Sequence, residues 1–314
     1  ITVLTAIPVF TQMRQHPRGL HILLFAEMWE RFSYYGMRSI LIFYLTQHFL
    51  FSDSFAGSQY GAYTSLVYLL PLIGGILADR YLGTKKSVAF GALLLVAGHV
   101  LMAAEGEPAV QTMTVAGTEY RFEVEGRAGD RRIFLPVEET RCELNAKSDS
   151  TSTCTITPNA AGDLVFTGLP ASATLPATIA RADYTFGIAN RNPLFVGIFY
   201  LALSLIIVGV GFLKSNISSM VGQLYPQGDP RRDPGYTLYY YGINLGSFWA
   251  SALCGLLGQT VGWWAGFGLA GVGMMFGWIV FTRQRLAFWS PGPKQLPENV
   301  GNPPDPEKLA AKVR

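Results

Sequence analysis

The sequence predicts an all-α polytopic membrane protein with a small β-rich domain between its third and fourth membrane helices. Three observations predict it. The 314 residues are 50% hydrophobic and only 14% charged, with 34 Gly, which is oilier and richer in glycine than an average soluble domain. The apolar residues are clumped into runs that reach the roughly 20 residues needed to cross a bilayer core. One long polar interval, Glu105–Asn192, breaks the series and alternates in the manner of strands.

Six spans are expected, at about 20–50, 57–81, 85–104, 193–224, 236–259 and 263–284. Several exceed one perpendicular crossing, so tilt or projection is expected. Pro71 is expected to kink the second. Arg14 and Arg18 precede the first span. Arg80, Lys85 and Lys86 lie between the second and third, Arg231 and Arg232 between the fourth and fifth, and Arg283, Arg285 and Lys294 follow the sixth. The opposite short connections, Gln47–Gln59 and Thr260–Gly262, hold no Lys or Arg. The positive-inside rule then places both termini in the cytoplasm and residues 105–192 outside it. No cleavable signal peptide is visible at Ile1–Pro17.

The outer interval contains TMTVAGTEYRFEV (Thr112–Val124), which reads as a hairpin with Met113 and Val115 alternating on one arm and Tyr120, Phe122 and Val124 on the other. RRIFLPV, TCTITP and DLVFTGLP read as further short strands, together a small sandwich. Cys142 and Cys154 fall here, where an oxidising compartment would allow a disulfide, while Cys254 in an apolar run reads as a packing residue. The expected organisation is 1–104 for three helices, 105–192 for the extracytoplasmic insert, 193–284 for three more helices, and 285–314 for a cytoplasmic linker whose Pro/Gly-rich tail Ser290–Arg314 reads as a flexible arm.

The first span is the unusual one. FAEMWERFSYYGMRSIL (Phe25–Leu41) carries two Glu and two Arg, and each charge at the centre of a span costs at least ~2.5–3.5 kcal/mol. At about 100° per residue, Glu27, Glu30, Arg31, Tyr34 and Arg38 share one arc, with Glu27 and Arg31 spaced i,i+4. Phe25, Phe32, Ile40 and Ile42 point elsewhere, so one polar stripe is expected along an otherwise lipid-compatible helix. A structural ion pair needs one acid and one base; Arg38 exceeds that need. So does Lys214, which interrupts IIVGVGFLKSNISSM in the fourth span at a depth comparable to the two Glu. Such intramembrane titratable clusters mark proton and substrate routes.

Four stretches then align with one family. EMWERFSYYG (Glu27–Gly36) resembles the E-x-x-E-R-F motif of proton-dependent oligopeptide transporters of the major facilitator superfamily. GGILADRYLGTKK (Gly74–Lys86) resembles the superfamily's loop between helices two and three, GFLKSNIS (Gly211–Ser218) the family's lysine-bearing fourth helix, and YTLYYYGINLGSF (Tyr236–Phe248) its fifth-helix signature. The resemblance covers about 20–104 and 193–284, and implies an N-terminal six-helix half of a twelve-helix transporter. The insert has no place in that pattern. A lone half would leave its polar stripe without a second wall, so a C-terminal six-helix half is an expected partner.

The implied activity is proton-coupled symport of di- and tripeptides by alternating access, with protons as coupling ion and no cofactor. Glu27 and Glu30 are the expected proton carriers, exchanging pairing with Arg31 and Lys214 against the peptide carboxylate. Arg31, Arg38 and Lys214 can form a cationic wall, Arg supplying a bidentate fork. Tyr35 and Tyr68 resemble the family's pocket tyrosines, with Tyr34 a weaker candidate, and Asn244 can donate to and accept from a peptide backbone. Asp79 and Arg80 are expected to act as a conformational gate. Trp29, Tyr239 and Tyr240 read as packing or interface anchors, and His99 as a packed, hydrogen-bonded side chain.

Two other readings stay open: a transporter of nitrate or another small anion on the same fold, and a membrane-anchored receptor using the insert. No nucleophile–base set, phosphate loop or metal-ligand spacing points to an enzyme, no metal site is expected, and no nucleic-acid partner is expected.

Overall fold

The computed structural model describes Val9 and residues 11–126, 130–147, 150–285 and 294–303. Much of the N-terminal stretch before Pro17, and most of the tail Ser290–Arg314, lie outside the described residues. The chain divides into two compact units: Ile1–Tyr44, Asp53–Glu105 and Gly197–Arg314 form one, and Leu45–Ser52 with Gly106–Val196 the other. The second unit thus takes in the connection Leu45–Ser52 as well as the expected insert.

Six long helices run through the first unit: α1 (Arg18–Phe43), α2 (Asp53–Leu77), α3 (Thr84–Met102), α4 (Pro193–Gln223, in this unit from Gly197), α5 (Arg232–Thr260) and α6 (Trp263–Arg283). The first span is shorter as an α-helix than expected, because a π turn at Tyr44–His48 ends it, and Leu50 follows at φ 52°. A second π turn, Ala78–Leu82, ends α2. By length and composition α2 with its π turn, α3, α4 and α6 can cross a membrane. The other two are as long but more polar: α1 carries the Glu/Arg cluster, and α5 carries Arg232, Asp233, Asn244 and a run of tyrosines.

α1 packs against both α5 and α6. Its apolar side buries Leu20, Leu23, Phe32, Met37, Ile40 and Leu41, and Phe32 joins Ala250, Cys254 and Ala270 in a small core. So the apolar side of α1 packs against helices, while its polar stripe, Glu27, Glu30 and Arg31, is buried as well. Cys254 packs there as expected from its apolar run.

α4 is drawn onto α2 and α3 at paired glycines. A Cβ on Gly74 would collide with the Gly211 carbonyl, and one on Gly91 would stand 2.5 Å from the Gly209 carbonyl, so only glycine lets these backbones touch. The contact is then fastened by hydrogen bonds: Ser215 Oγ donates to the Pro71 carbonyl at 3.0 Å, and Asn216 Nδ2 donates to Phe212 O at 2.7 Å and Gly74 O at 3.4 Å. Pro71 lacks an N–H to continue the ladder, yet α2 runs on through it to Leu77.

The second unit is two sheets. One has order β2-β1-β9, from β1 (Val110–Val115), β2 (Thr118–Arg121) and β9 (Tyr184–Ala189); the other has order β3-β4-β5-β6-β7-β8, from β3 (Glu123–Glu125), β4 (Arg132–Val137), β5 (Thr140–Leu144), β6 (Cys154–Pro158), β7 (Leu164–Thr167) and β8 (Thr178–Ile179). Met113, Val115 and Tyr184 from the first sheet and Leu135, Ile156, Leu164 and Phe166 from the second share one buried cluster. The β1–β2 hairpin turns at Ala116-Gly117, both at positive φ (48° and 83°), as a two-residue turn between right-twisted strands requires. The expected hairpin ends early: Val124 belongs to β3 in the other sheet, pairs with Ile133, and is 50% exposed. β5 and β6 run parallel with Cys142 opposite Cys154, and the two sulfurs are bonded.

The carboxylate of Glu143, beside Cys142, accepts two hydrogen bonds from Arg132 (2.8 and 2.5 Å) and one from each of Ser150 and Ser152. These bonds, Arg132's first, hold its pKa down at about 2.

Candidate functional site

The Glu/Arg stripe of α1 becomes a closed triad in the helical unit. Arg31 Nε lies 3.1 Å from Glu27 Oε1 and pairs more closely still with Glu30. Glu27, Glu30 and Arg31 are 2%, 0% and 5% exposed. Helix geometry explains half of the arrangement: the i,i+4 spacing sets Glu27 beside Arg31, while Glu30, its neighbour in sequence, is drawn to the same guanidinium because an unpaired charge buried here would be costly. Arg31 Nη2 and Tyr63 Oη are nonetheless buried without a hydrogen-bond partner among the described residues.

Tyrosines wall the triad. Arg31 Cζ stands 5.5 Å from the centroid of the Tyr34 ring, which stacks with Tyr63 of α2 at 6.4 Å and meets Tyr35 edge-on at 5.0 Å. Tyr239 of α5, read from sequence as a packing residue, is buried with its hydroxyl beside Glu27. Neither Tyr63 nor Tyr239 could be assigned from sequence, because a tyrosine in an apolar span looks the same whether it faces lipid, core or charge.

Lys214 stands next to this cluster but outside its ion pairs. Its electrostatic neighbours are Arg31, Glu30, Tyr68 and Glu27, yet it forms no ion pair among the described residues. Its Nζ sits 4.2 Å from the centroid of the Tyr68 ring, a cation–π contact. The local sequence explains the placement. Ser215 and Asn216, the next two residues, fasten α4 to Pro71 and Gly74 of α2, and Tyr68 lies one turn before Pro71. Tyr68 is 56% exposed, so the ammonium and its ring lie at the open side of the cluster.

Arg38, nearly two turns along α1, is half-buried. Its Nε donates to Tyr60 Oη at 2.6 Å, and its electrostatic neighbours include Tyr34 and Tyr68. Tyr60 was not foreseen. The structure therefore brings together Glu27, Glu30, Arg31, Lys214, Tyr34, Tyr35 and Tyr68, with Arg38 at the margin.

The other expected residues take no part in the ion pairs and ring contacts of this cluster among the described residues. Asn244 is exposed, and its Nδ2 donates to Tyr240 O one turn back on α5. Asp79 and Arg80 are exposed in the π turn after α2 and form no ion pair with each other. Cys142 and Cys154 belong to the other unit. His99 is fully buried, with Nδ1 2.7 Å from Leu95 O and Nε2 3.2 Å from Ser33 O, and tethers α3 to α1. No group of three or more His, Cys, Asp or Glu suited to a metal occurs among the described residues.

Chemically, the cluster offers two buried carboxylates held by one guanidinium, and a second cation within electrostatic reach but uncommitted to either. A proton or an incoming anion can change which partners are matched, without any covalent step.

The chain is similar to known proteins along most of its length. The "Uncharacterized transporter YclF" of Bacillus subtilis (strain 168) is 34% identical over 275 residues, covering 86% of this chain and 38% of the relative. A "Di-/tripeptide transporter" of Lactococcus lactis subsp. cremoris is 30% identical over 306 residues, covering 94% and 42%. The chain thus spans about two fifths of the length of these relatives. Among solved structures, a peptide transporter POT in complex with sulfate is 30% identical, with a TM-score of 0.58, over 95% of this chain and 43% of the other. A point mutant described by the same name, in complex with alafosfalin, matches equally well (30%, 0.58, 95% and 44%). These relatives are transporters, not enzymes. The family description "PTR2: POT family" matches residues 85–298, well over half of the sequence, and the chain belongs to that family.

Proposed function

We propose that this chain contributes the N-terminal six-helix half of a proton-coupled symporter of di- and tripeptides. One observation carries the reading: a buried Glu27–Arg31–Glu30 triad with Lys214 beside it, uncommitted and held over Tyr68. Relatives named as di-/tripeptide transporters, and a related transporter bound to sulfate, support a cation-lined site for an anionic group.

With both carboxylates ionised, Arg31 is fully engaged. Protonation of Glu27 or Glu30 removes one claim on the guanidinium, which then turns a fork of donors toward a peptide carboxylate. Lys214 leaves the Tyr68 ring for the same carboxylate or for the remaining Glu. Tyr35, Tyr68 and Arg38 line the approach, and Asn244 bonds the peptide backbone. Loss of the proton restores the triad and expels the substrate. A C-terminal six-helix half supplies the opposite wall, and rocking of the halves, with Asp79 and Arg80 at the gate, gives alternating access. The protein lies in the cell membrane with cytoplasmic termini and residues 105–192 outside.

The test is uptake of labelled dialanine into liposomes containing this chain together with its C-terminal six-helix half. Glu27→Gln and Lys214→Ala variants should lose accumulation driven by a proton gradient while keeping counterflow exchange. Undiminished gradient-driven accumulation by both variants would falsify the assignment. Competition by peptides, and not by nitrate, separates this reading from an anion transporter.

A further inference from the structure

α3 begins without a cap of its own. Its N-cap is Gly83, which has no side chain, and the first amides of a helix have no partner within it. The partner comes from more than two hundred residues away. The Gly301 carbonyl accepts the Lys85 N–H at 3.0 Å.

Gly301 belongs to the segment 294–303 beyond α6, which lies against the helices at several points. Gln295 N–H bonds the carbonyl of Gln284, the left-handed residue closing α6. Leu296 and Val300 are each 2% exposed. A Cβ on Gly19, at the start of α1, would meet Leu296 at 3.2 Å and Leu224, just past α4, at 2.7 Å. Gly301 N–H donates to Gln223 Oε1, the last residue of α4, at 2.8 Å. Both Gly83 and Gly301 have φ +75°. A Cβ on Gly301 would lie 2.8 Å from the Lys85 nitrogen, and one on Gly83 2.5 Å from the Pro303 nitrogen. Two backbones are thus pressed together where no side chain fits.

We propose that residues 294–303 form a clasp that supplies the missing cap of α3 and fixes the α2–α3 loop to the ends of α1 and α4. The loop so held is the Gly74–Lys86 stretch that carries Asp79 and Arg80. The clasp makes the segment after α6 a positioning element for that loop rather than a slack tether. Leu296 anchors it between α1 and α4; Gly301 delivers the carbonyl; Gln223 orients Gly301. Its consequence for transport rests on the function proposed above, but the docking itself does not.

Hydrogen exchange read by mass spectrometry on the purified, nanodisc-embedded protein tests the docking directly. Gly301→Val should speed exchange of the amides at 84–87 about tenfold, the loss of one capping bond, and Gln223→Ala should do so by a few-fold. Amides in the middle of α4 should keep their protection in both. Unchanged exchange at 84–87 in both variants would overturn the clasp, as would an equal loss across all six helices in both. Should Gly301→Val fail to fold, Gln223→Ala decides alone. Dialanine uptake by the same variants is a separate readout: normal uptake with faster exchange keeps the clasp and rejects only its link to the gate.

Discussion

Replacing Arg31 by Met is the sharpest test of the triad. The substitution keeps an unbranched chain in the helix but removes the charge shared by Glu27 and Glu30, leaving carboxylates that are 2% and 0% exposed. At the 3.1 Å separation of Arg31 Nε and Glu27 Oε1, with an effective dielectric constant of 20, the Coulomb attraction is roughly 5 kcal/mol for that pair alone. Losing one partner of a buried pair typically costs about 3–5 kcal/mol, because the remaining charge stays desolvated. Lys214 tempers this. Its flexible stem lets the ammonium move from the Tyr68 ring toward the orphaned carboxylates, so the single substitution is expected near the low end, about 3 kcal/mol. Two further proteins make the test strict. Arg31→Met with Lys214→Ala should be less stable than the two singles sum to, by about 0.5–3 kcal/mol. Arg31→Met with Glu27→Gln and Glu30→Gln, which leaves no buried charge to match, should recover most of the loss. The assay is reversible unfolding of the purified protein in mixed micelles, followed by tryptophan fluorescence. Additivity within about 0.5 kcal/mol for the Arg31/Lys214 pair would refute the idea that Lys214 can substitute in the cluster. Wild-type stability of Arg31→Met would refute the triad itself.

Three other outcomes are expected. Cys142→Ser with Cys154→Ser opens a loop with a sequence separation of 12, and loop-closure entropy puts the cost near 3 kcal/mol, measurable as a lowered unfolding midpoint of the β unit. Glu143→Gln should destabilise the same unit by about 1.5–3 kcal/mol, since it weakens the bonds from Arg132, Ser150 and Ser152. Because the folded carboxyl titrates at about 2, below its unfolded value, the unfolded chain binds more protons between the two; the wild-type advantage is complete above the unfolded value and fades as pH falls toward about 2. Gly74→Leu should separate α2 from α4 at the Gly211 carbonyl and move position 214 away from position 68; in a protein carrying Tyr68→Cys and Lys214→Cys, the efficiency of thiol crosslinking between the two positions should fall.

The architecture was legible where physics leaves a one-dimensional trace. Six apolar or semi-apolar runs became six helices, and alternation in the polar interval became two sheets. Glu27, Glu30 and Arg31 were readable because charges in a span are costly and their spacing fixes their meeting. Partners supplied by distant elements were not readable. Tyr60 and Tyr63 on α2 and Tyr239 on α5 carry no local mark of the arginine or carboxylate they attend. Nor does Glu105, whose carboxylate accepts the Trp264 N–H at the start of α6, where Gly262 offers no side-chain cap. Val124 was misplaced because alternation continues smoothly across Phe122 while the chain changes sheets. That Phe32 and Ile40 of α1 pack inside the protein was not readable either, because such side chains suit an interior as well as they suit hydrocarbon.

β1, the first strand after α3, and β9, the last before α4, are hydrogen-bonded neighbours with Val110 opposite Ala189. The inserted strands therefore begin and end side by side, in one narrow stem. Whatever lies between those two residues can lengthen, shrink or be exchanged in evolution as a cassette, and the distance it must bridge stays that between two adjacent strands. A short turn joining Val110 to Ala189 would meet the same requirement, so a change beyond the stem leaves the strand pairing at its base unaltered.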